Sequence, residues 1–440
     1  MRTLGAFVVF LLLAIAWTWP ARAWPMVYDD LHLVRTFRGA ELAAAWTGNW
    51  DPDGLETPGF RPLSLAFNHA RAAAFGERVI GHRHFVAGLF AIDLALLLPL
   101  GRRLGLRAGA ALGAGLIMLF TRYSAYHLVW ITDGNHALQG LAFLLAALLL
   151  LGARTGTSWA GLAASLAAVG AGLLVREDTL AALPALALIA FAHGPRRRAT
   201  AYTAGLGTLA VLLLTWRRLA VPAAQPLGVD LAGFGRAVGH ALDPVGVDGF
   251  DLGSTILAAG WWVVLAVVVT ALVRTRDAAA LRAAGLWAIA AVAACAPALL
   301  LQRDDLLFFP SLFVALALAT AGDALWRSWP RGRPLVLAAL AWALVGGAWT
   351  GRVLAENFHP ASARAIDWNT DFLYGRYARA TIPAERRAGV AARLDFLGIR
   401  AGDQPRQRVR DLIVEARDAG RRRPAADGRV FFPLLPERYF

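Results

Sequence analysis

Long apolar runs recur along most of this 440-residue chain, and they restrict its fold more than any other feature. Runs of roughly 18 to 25 residues have the length that a helix needs to cross about 30 Å of hydrocarbon. Inside a bilayer every backbone polar group must be paired within its own segment, so each run is predicted to be a helix. The Ala, Gly and Leu bias of the runs suits closely packed membrane helices, whereas a barrel would need short alternating strands.

The chain is therefore predicted to be an all-α polytopic membrane protein with about eleven transmembrane helices. Its composition agrees, because 58% of the residues are hydrophobic and the mean hydropathy is +0.52. The predicted spans cover residues 5–24, 84–101, 107–122, 136–153, 158–175, 178–193, 200–216, 255–273, 283–301, 306–325 and 334–351.

Arginine in the short loops predicts the orientation of these spans. If the N-terminus is cytoplasmic, every cytoplasmic loop is basic, as the positive-inside rule requires. Those loops carry Arg102, Arg103 and Arg107, then Arg154, then Arg196, Arg197 and Arg198, then Arg274, Arg276 and Arg282, and then Arg327, Arg331 and Arg333. The first loop (residues 25–83), the segment around Trp130, the loop 217–254 and the C-terminus are then extracytoplasmic, which in a bacterium means outside the inner (plasma) membrane. The N-terminus also imitates a secretory signal, but the charge pattern works with the first helix retained.

Composition changes beyond the last predicted span. Residues 1–351 are predicted to form the transmembrane domain, and residues 352–440 a small, mainly helical extracytoplasmic module. Within the latter, residues 383–387 and 405–413 each carry a Pro suited to a first helical turn. The Arg-rich surface of this module could meet lipid phosphates or could simply be solvated.

The net charge of +14 would suggest a nucleic-acid partner in a soluble protein. Here the excess is largely Arg in short loops that face anionic lipid headgroups, so membrane lipid is the predicted partner and nucleic acid is not. The single cysteine, Cys295, excludes an internal disulfide and a Cys-rich metal site. We find no P-loop or dinucleotide fingerprint, which disfavours a pump with its own nucleotide-binding domain.

The first external loop carries the densest chemistry. Asp29 and Asp30 are adjacent just beyond the first span, where two carboxylates are costly. A Phe-Arg-Pro-Leu segment with Arg61 follows, and then His82 and His84 at the start of the second span. A single Asp near a helix end could simply extend into the headgroups. The pair, followed by an Arg-Pro turn and histidines, indicates a site.

These residues resemble the external loop of the C-type (GT-C) membrane glycosyltransferases, a superfamily that includes protein O-mannosyltransferases and aminoarabinose transferases. The similarity lies in the Asp pair outside the first helix, the Phe-Arg-Pro-Leu segment at residues 60–63 and the His-containing start of the second span. Residues 126–133, Tyr-His-Leu-Val-Trp-Ile-Thr-Asp, are similar to the region after the third helix in tetratricopeptide-bearing members.

Two later segments extend the resemblance. Arg-Glu-Asp at residues 176–178 resembles a basic-acidic pair at an external helix turn of that superfamily. Residues 302–311 resemble its late external Arg followed by an aromatic-Pro-Ser helix start. The match covers roughly residues 5–325 in order and topology, through short and degenerate motifs. It departs from the pattern in Asp304-Asp305, where an aromatic residue is usual, and in the lack of tetratricopeptide repeats.

The resemblance implies an enzyme that moves a sugar from a polyprenyl-phosphate carrier to an external acceptor, which could be protein, lipid or polysaccharide. Such a reaction needs a carboxylate to accept a proton and a cation to stabilise the leaving phosphate. By position Asp29 is the candidate base, with Asp30 as its partner or as the base itself. Arg176 and Arg303 are candidate phosphate ligands, since guanidinium binds phosphate oxygens in pairs. Each Arg could instead anchor its helix end or pair with an acidic neighbour, Glu177 or Asp304.

Further polar residues join the predicted substrate-binding set. Arg61, in its Phe-Arg-Pro-Leu turn, is expected to organise the loop more than to touch sugar, and Glu177 accompanies Arg176. His84 and His127 could orient a phosphate or hydroxyl group, or be structural. Asp133 suits sugar hydroxyls, with the nearby Trp130 either packing on a pyranose or belonging to the aromatic belt.

No cofactor is predicted, and a divalent metal is possible but not favoured. His82, His84, Asp29 and Asp30 could be drawn as a divalent site, but a His-X-His at a membrane mouth is a weak signal and nothing fixes further ligands.

Two other classes of function compete with the enzyme. A transporter or lipid-carrier flippase should place ionisable residues near the bilayer midplane, and here Asp93 is nearly alone there. A membrane assembly factor that binds a partner through its loops would tolerate Asp29→Asn. The gathering of polar residues at external helix ends favours the enzyme.

Overall fold

The computed structural model describes most of the predicted transmembrane domain. The described residues are 2–19, 30–52, 59–76, 78–121, 124, 127–128, 130–152, 159–221, 229–243, 252–301 and 307–357. Asp29, Arg303 and residues 358–440 of the predicted C-terminal module lie outside the described residues. Within the described part the regular structure is entirely helical.

The α-helices follow one another closely along the chain. In chain order they are α1 (Arg2–Thr18), α2 (Asp30–Leu33), α3 (Gly39–Ala44), α4 (Pro62–Phe75), α5 (Val79–Arg103), α6 (Ala108–Leu119), α7 (Asn135–Gly152), α8 (Trp159–Val175), α9 (Leu183–His193), α10 (Arg196–Ala220), α11 (Leu231–Leu242), α12 (Leu252–Thr275), α13 (Ala278–Ala294), α14 (Ala296–Leu301), α15 (Phe308–Ser328) and α16 (Arg333–Asn357). Short 3-10 turns lie at Thr132–Gly134, Glu177–Ala182 and Pro330–Gly332.

Each predicted span overlaps one of these helices, but not every helix is long enough to cross a bilayer by itself. Among the described residues, five segments are both long and apolar enough: Val79–Arg103, Thr132–Gly152, Arg196–Ala220, Phe308–Ser328 and Pro330–Trp349. Others are shorter, such as α6 and α8. The helical class is confirmed, whereas the number of eleven crossings stays a prediction.

The predicted span 283–301 is divided into α13 and α14 in the structure. The division falls at Cys295, two positions before Pro297. Proline lacks the backbone N–H that would continue the helical ladder and its ring clashes with the preceding turn, which explains the break.

Small residues bring the long helices together around one large apolar core, to which α1, α5, α6, α7, α8, α9, α10, α13 and α15 contribute. A Cβ on Gly140 in α7 would lie 2.5 Å from Cζ of Phe308 in α15. A Cβ on Gly347 in α16 would likewise lie 2.5 Å from Phe120. These glycines permit the close backbone approach that is typical of packed membrane helices.

Large apolar side chains also cover much of the outer surface. On α10 alone, Val211, Leu212 and Leu219 are 60 to 72% exposed. A contiguous apolar exterior of this kind would be unfavourable in water and is what the hydrocarbon interior requires. The exterior therefore fits a multi-pass membrane protein.

Contacts between distant loops define the two ends of the helix bundle. At one end, which we call the basic end, Arg107 Nε donates to Asp323 Oδ1 at 2.6 Å. At the other end, which we call the site end, Ser64 donates to the carbonyl oxygen of Val175 at 2.6 Å and Trp216 to that of Trp46 at 3.1 Å. Loops predicted to share one side of the membrane thus meet at one end of the bundle.

Helix α4 lies in the first external loop and was not among the predicted elements. It begins with Pro62 at its first position, where the missing N–H costs nothing. Its buried residues recur at helical spacing, at Ser64, Leu65, Asn68, Arg71 and Ala72. This face packs against α5 and α8, so the loop contributes a buried polar face to the site end.

Candidate functional site

Five polar side chains converge at the site end and form what we call the Asp133 cluster: His127, Asp133, His136, Arg176 and Asp178. Asp133 belongs to the 3-10 turn before α7, and His136 to the first turn of that helix. Arg176 precedes the 3-10 turn between α8 and α9. Two stretches of the chain, residues 127–136 and 176–178, therefore supply the cluster.

Asp133 is the centre of this cluster. His127 Nδ1 pairs with its Oδ2, while His136 Nε2 and Arg176 Nη1 lie 3.3 and 3.5 Å from its Oδ1. The Asp133 side chain is 15% exposed, whereas the two histidines are almost fully buried. One carboxylate thus contacts two imidazoles and a guanidinium and is still partly exposed.

Asp178 shares Arg176 with Asp133, because Arg176 Nε donates to Asp178 Oδ1 at 3.1 Å. Burial by itself would favour the neutral acid, but the positive charge of Arg176, with contributions from His136 and Arg61, outweighs it and lowers the pKa of Asp178 below its usual value. The Asp178 carboxylate is therefore ionised at neutral pH.

The ring of Phe308 packs against the two histidines of the Asp133 cluster. Its ring stacks on His136 with centroids 5.9 Å apart and lies at the same distance from His127. The two imidazoles are themselves 4.3 Å apart. Phe308 is the first residue of α15 and closely follows residues 302–306, which include the predicted Arg303 and lie outside the described residues.

Asp30 supports the turn that carries Asp133. It is fully buried, and its Oδ1 accepts hydrogen bonds from the backbone N–H and the hydroxyl of Thr132 at 2.6 and 2.5 Å. The buried guanidiniums of Arg71 and Arg83 interact electrostatically with it. The described partners of Asp30 are thus protein groups, which is the environment of a positioning residue.

Arg71 was missed in the sequence, although it lies in the buried stripe of α4. It donates to the carbonyl oxygen of Ile131 at 2.7 Å and to Asn68 Oδ1 at 2.6 Å. Burial lowers the pKa of Arg71 to about 10, while the negative charge of Asp30 acts in the opposite direction. Arg71 is therefore charged at neutral pH and is balanced by Asp30.

Glu177 and Arg61 lie beside the cluster. Glu177 accepts a hydrogen bond from the backbone N–H of Phe60, and Arg217 Nε donates to it at 3.0 Å. The Arg61 guanidinium lies 5.0 Å from the centre of the Trp50 ring. Glu177 therefore fastens the first loop to α10, and the acidic neighbours of Arg176 are Asp133 and Asp178 instead.

Three other residues considered in the sequence stand apart from these contacts. His84 is exposed near the beginning of α5. His82 Nε2 pairs with the carbonyl oxygen of Gly76 at 2.8 Å, so this ring has a structural contact rather than a place in the Asp133 cluster. Trp130 is only 3% exposed, which leaves little of its ring to pack on a sugar.

Asp93 is buried in the middle of α5. Among the described residues neither of its carboxylate oxygens has a hydrogen-bond partner. Gly140 of α7 faces it so closely that a Cβ there would lie 2.7 Å from Asp93 Oδ2. The Asp93 carboxyl therefore lies in the helix core, between α5 and α7.

No family model matches the sequence, and no curated protein matches it. Among solved structures, the chain is similar to ArnT from Cupriavidus metallidurans, which was crystallised bound to undecaprenyl phosphate. The TM-score is 0.50 and the identity 17%, and the alignment covers 94% of this chain and 77% of the ArnT chain. The likeness shows that the chain shares the fold of ArnT, which agrees with the fold that the resemblance predicted.

Proposed function

We propose that the protein is an integral membrane glycosyltransferase that uses a polyprenyl-phosphate sugar as donor. One observation carries the proposal: the Asp133 cluster gathers charged groups at a single end of an apolar helical fold, and that fold is shared with ArnT, which binds undecaprenyl phosphate. Because a shared fold does not establish an activity, the proposed activity also depends on the chemistry of the residues in the cluster.

Asp29 is assigned as the proton acceptor. In the proposed step the acceptor's hydroxyl or amine attacks the anomeric carbon, and its proton passes to the Asp29 carboxylate. The bond between the anomeric carbon and the phosphate oxygen breaks, and its electron pair leaves on the polyprenyl phosphate. Asp30 adjoins Asp29 in sequence and is buried against Thr132, which supports the positioning role for Asp30 and leaves the chemical role to Asp29.

Arg303 is assigned as the principal ligand of the donor phosphate. Support comes from its place in the sequence shortly before Phe308, whose ring contacts both histidines of the cluster. Arg176 is assigned a second role in phosphate binding, because its guanidinium is already divided between Asp133 and Asp178. Asp133, whose side chain is partly exposed, is assigned to bind the sugar hydroxyls.

Turnover of a lipid-linked sugar tests the proposal. Full-length protein in liposomes is supplied with undecaprenyl-phosphate sugars and envelope acceptors, and released undecaprenyl phosphate is measured by mass spectrometry. Asp29→Asn should lower the rate about 100-fold or more, the usual range for loss of a general base. Asp230→Asn is the matched control, because Asp230 caps α11 by accepting from the N–H of Gly233, and Asn caps equally well.

Two results would contradict the proposal. Unchanged turnover in a folded Asp29→Asn protein would remove Asp29 from its role. Movement of the lipid carrier between leaflets, without release of undecaprenyl phosphate from any donor, would identify the protein as a transporter or flippase instead.

A further inference from the structure

His127, Asp133 and His136 present one ligand atom each within 4.8 Å of one another. We call them the Asp133 trio. Among the described residues no other group of three His, Cys, Asp or Glu side chains comes together in this way. Two imidazole nitrogens and a carboxylate oxygen form the protein donor set of many catalytic zinc sites, in which a fourth position stays open. The trio differs from the set drawn from the sequence, which used His82, His84 and the Asp pair.

The surroundings of His136 orient one of its nitrogens for a cation. Its Nδ1 lies 3.0 Å from Gln139 Oε1 and 3.9 Å from Asp178 Oδ2, and both of these oxygens are acceptors. With the proton on Nδ1, the lone pair of Nε2 is directed towards Asp133 Oδ1, 3.3 Å away. Two lone pairs at this distance repel unless a cation lies between them. Outer acceptors orient metal-binding imidazoles in the same manner.

The charges around the cluster are compatible with a bound cation. Asp133 and Asp178 share the guanidinium of Arg176, and Arg61 also acts electrostatically on Asp178. With neutral imidazoles, the charges of these four groups sum to zero. A divalent ion would therefore give the site a net positive charge that attracts the phosphate of a lipid-linked donor.

We propose that the Asp133 trio binds one zinc ion, which leaves an open coordination position for an oxygen of the donor phosphate. The inference rests on the proposed function for the identity of that oxygen ligand, but the metal site itself stands on the geometry of the trio. Ligand atoms of a tetrahedral zinc lie roughly 3.4 Å apart, so the longest separation in the trio closes by at most roughly 1.4 Å on binding. Side-chain rotations about the shared carboxylate provide such a movement. A zinc ion held there would stabilise the phosphate charge as a Lewis acid, and Asp133 would then act through the metal instead of binding the sugar hydroxyls directly.

Cobalt(II) titration tests the site directly, since cobalt replaces zinc and absorbs visible light when bound by nitrogen and oxygen ligands. Full-length protein in nanodiscs, with any affinity tag removed, is stripped with a chelator and titrated with cobalt chloride. One equivalent should bind, and zinc should displace it. His136→Ala and Asp133→Asn should each abolish the absorption, whereas His193→Gln, at the basic end, should retain it as the control.

Gln139→Leu provides a variant that spares all three ligands. Loss of such an outer partner weakens metal binding by about 10- to 100-fold, so the same shift is expected here. Thermal unfolding of each variant checks that the fold persists, and if His136→Ala fails to fold, Asp133→Asn and Gln139→Leu decide the matter.

Absence of stoichiometric cobalt binding in folded protein would overturn the zinc site. It would indicate a metal-free network in which Gln139 presents its amide N–H to His136, and His136 donates from Nε2 to Asp133. Cobalt binding that is unchanged in Asp133→Asn would overturn it equally. Full turnover after chelation would contradict the binding of the donor phosphate by zinc while leaving the glycosyltransferase proposal intact. Cobalt binding without turnover of any donor would support the site and contradict that proposal.

Discussion

Replacement of Asp30 by Asn separates a positioning role for this residue from a catalytic one. The amide keeps an oxygen that can accept from Thr132, so the substitution removes mainly the negative charge. That charge faces Arg71 and Arg83, both buried. Arg71 remains charged at neutral pH because its pKa is about 10.

The expected destabilisation follows from those contacts. Removing one partner of a buried ion pair leaves an uncompensated buried charge and typically costs about 3–5 kcal/mol. Thr132→Val deletes one hydroxyl donor to the same carboxylate and leaves the backbone N–H in place, so a smaller loss of about 1.5–3 kcal/mol is expected. The predicted order of destabilisation is therefore Asp30→Asn above Thr132→Val.

Equilibrium unfolding in mixed detergent micelles measures the free energy of unfolding for both variants. Asp230→Asn serves as the matched control, since it makes the same chemical change at a partly exposed helix cap and should have little effect. The double variant Asp30→Asn/Arg71→Met should be less destabilised than the sum of its single variants, because the charge of Arg71 is then not left without Asp30, while Arg83 stays buried and charged in both backgrounds. An Asp30→Asn protein that unfolds like the unmodified protein but has lost turnover would refute this reasoning and make Asp30 the general base.

Three further outcomes are expected. Gly140→Val should strongly destabilise the protein in thermal unfolding, because a Cβ there would lie 2.5 Å from Phe308, and an unchanged midpoint would contradict the close approach of α7 and α15. Asp323→Asn should cost about 1–3 kcal/mol in equilibrium unfolding, because its buried carboxylate accepts a guanidinium N–H from Arg107, just before α6, at 2.6 Å. Folding lowers the pKa of Asp178 below its unfolded value of 3.8, so the carboxylate contributes its full stabilisation above pH 3.8 and loses it as the pH falls through the folded pKa. Asp178→Asn should therefore reduce the loss of stability at acid pH in a curve of unfolding free energy against pH. An unchanged loss of stability at acid pH would contradict this prediction.

The long helices could be predicted from the sequence because the bilayer imposes a simple requirement. A segment that must pair all its backbone polar groups internally and contact lipid has an uninterrupted run of apolar residues in its sequence. Every predicted span accordingly overlaps a helix. Helix α4 was missed because its buried stripe contains Asn68 and Arg71, which a search for apolar runs passes over. Its visible signals were Pro62 at the first position and the helical spacing of small and polar residues.

The candidate site was predictable only in part. Arg176 and Asp133 were named separately from short motifs at helix ends, and the structure brings them to 3.5 Å of each other. The partners of Asp30, which are Thr132, Arg71 and Arg83, come from segments far apart in the chain, and no local pattern couples them. Predictions that concern Asp29, Arg303 and the C-terminal module stay predictions.

The sequence by itself determined that this is a helical membrane protein and that its ionisable groups gather at helix ends, because burial of a polar backbone in hydrocarbon acts on each segment separately. Only the tertiary structure decided which of these groups meet. The packing of α4, α5, α7, α8 and α15 decides two sets of contacts. It pairs Asp133 with two histidines and Arg176, and it pairs Asp30 with the turn at Thr132. Electrostatic and hydrogen-bond energies depend on distances between atoms that are remote in sequence, and those distances exist only once the helices are assembled.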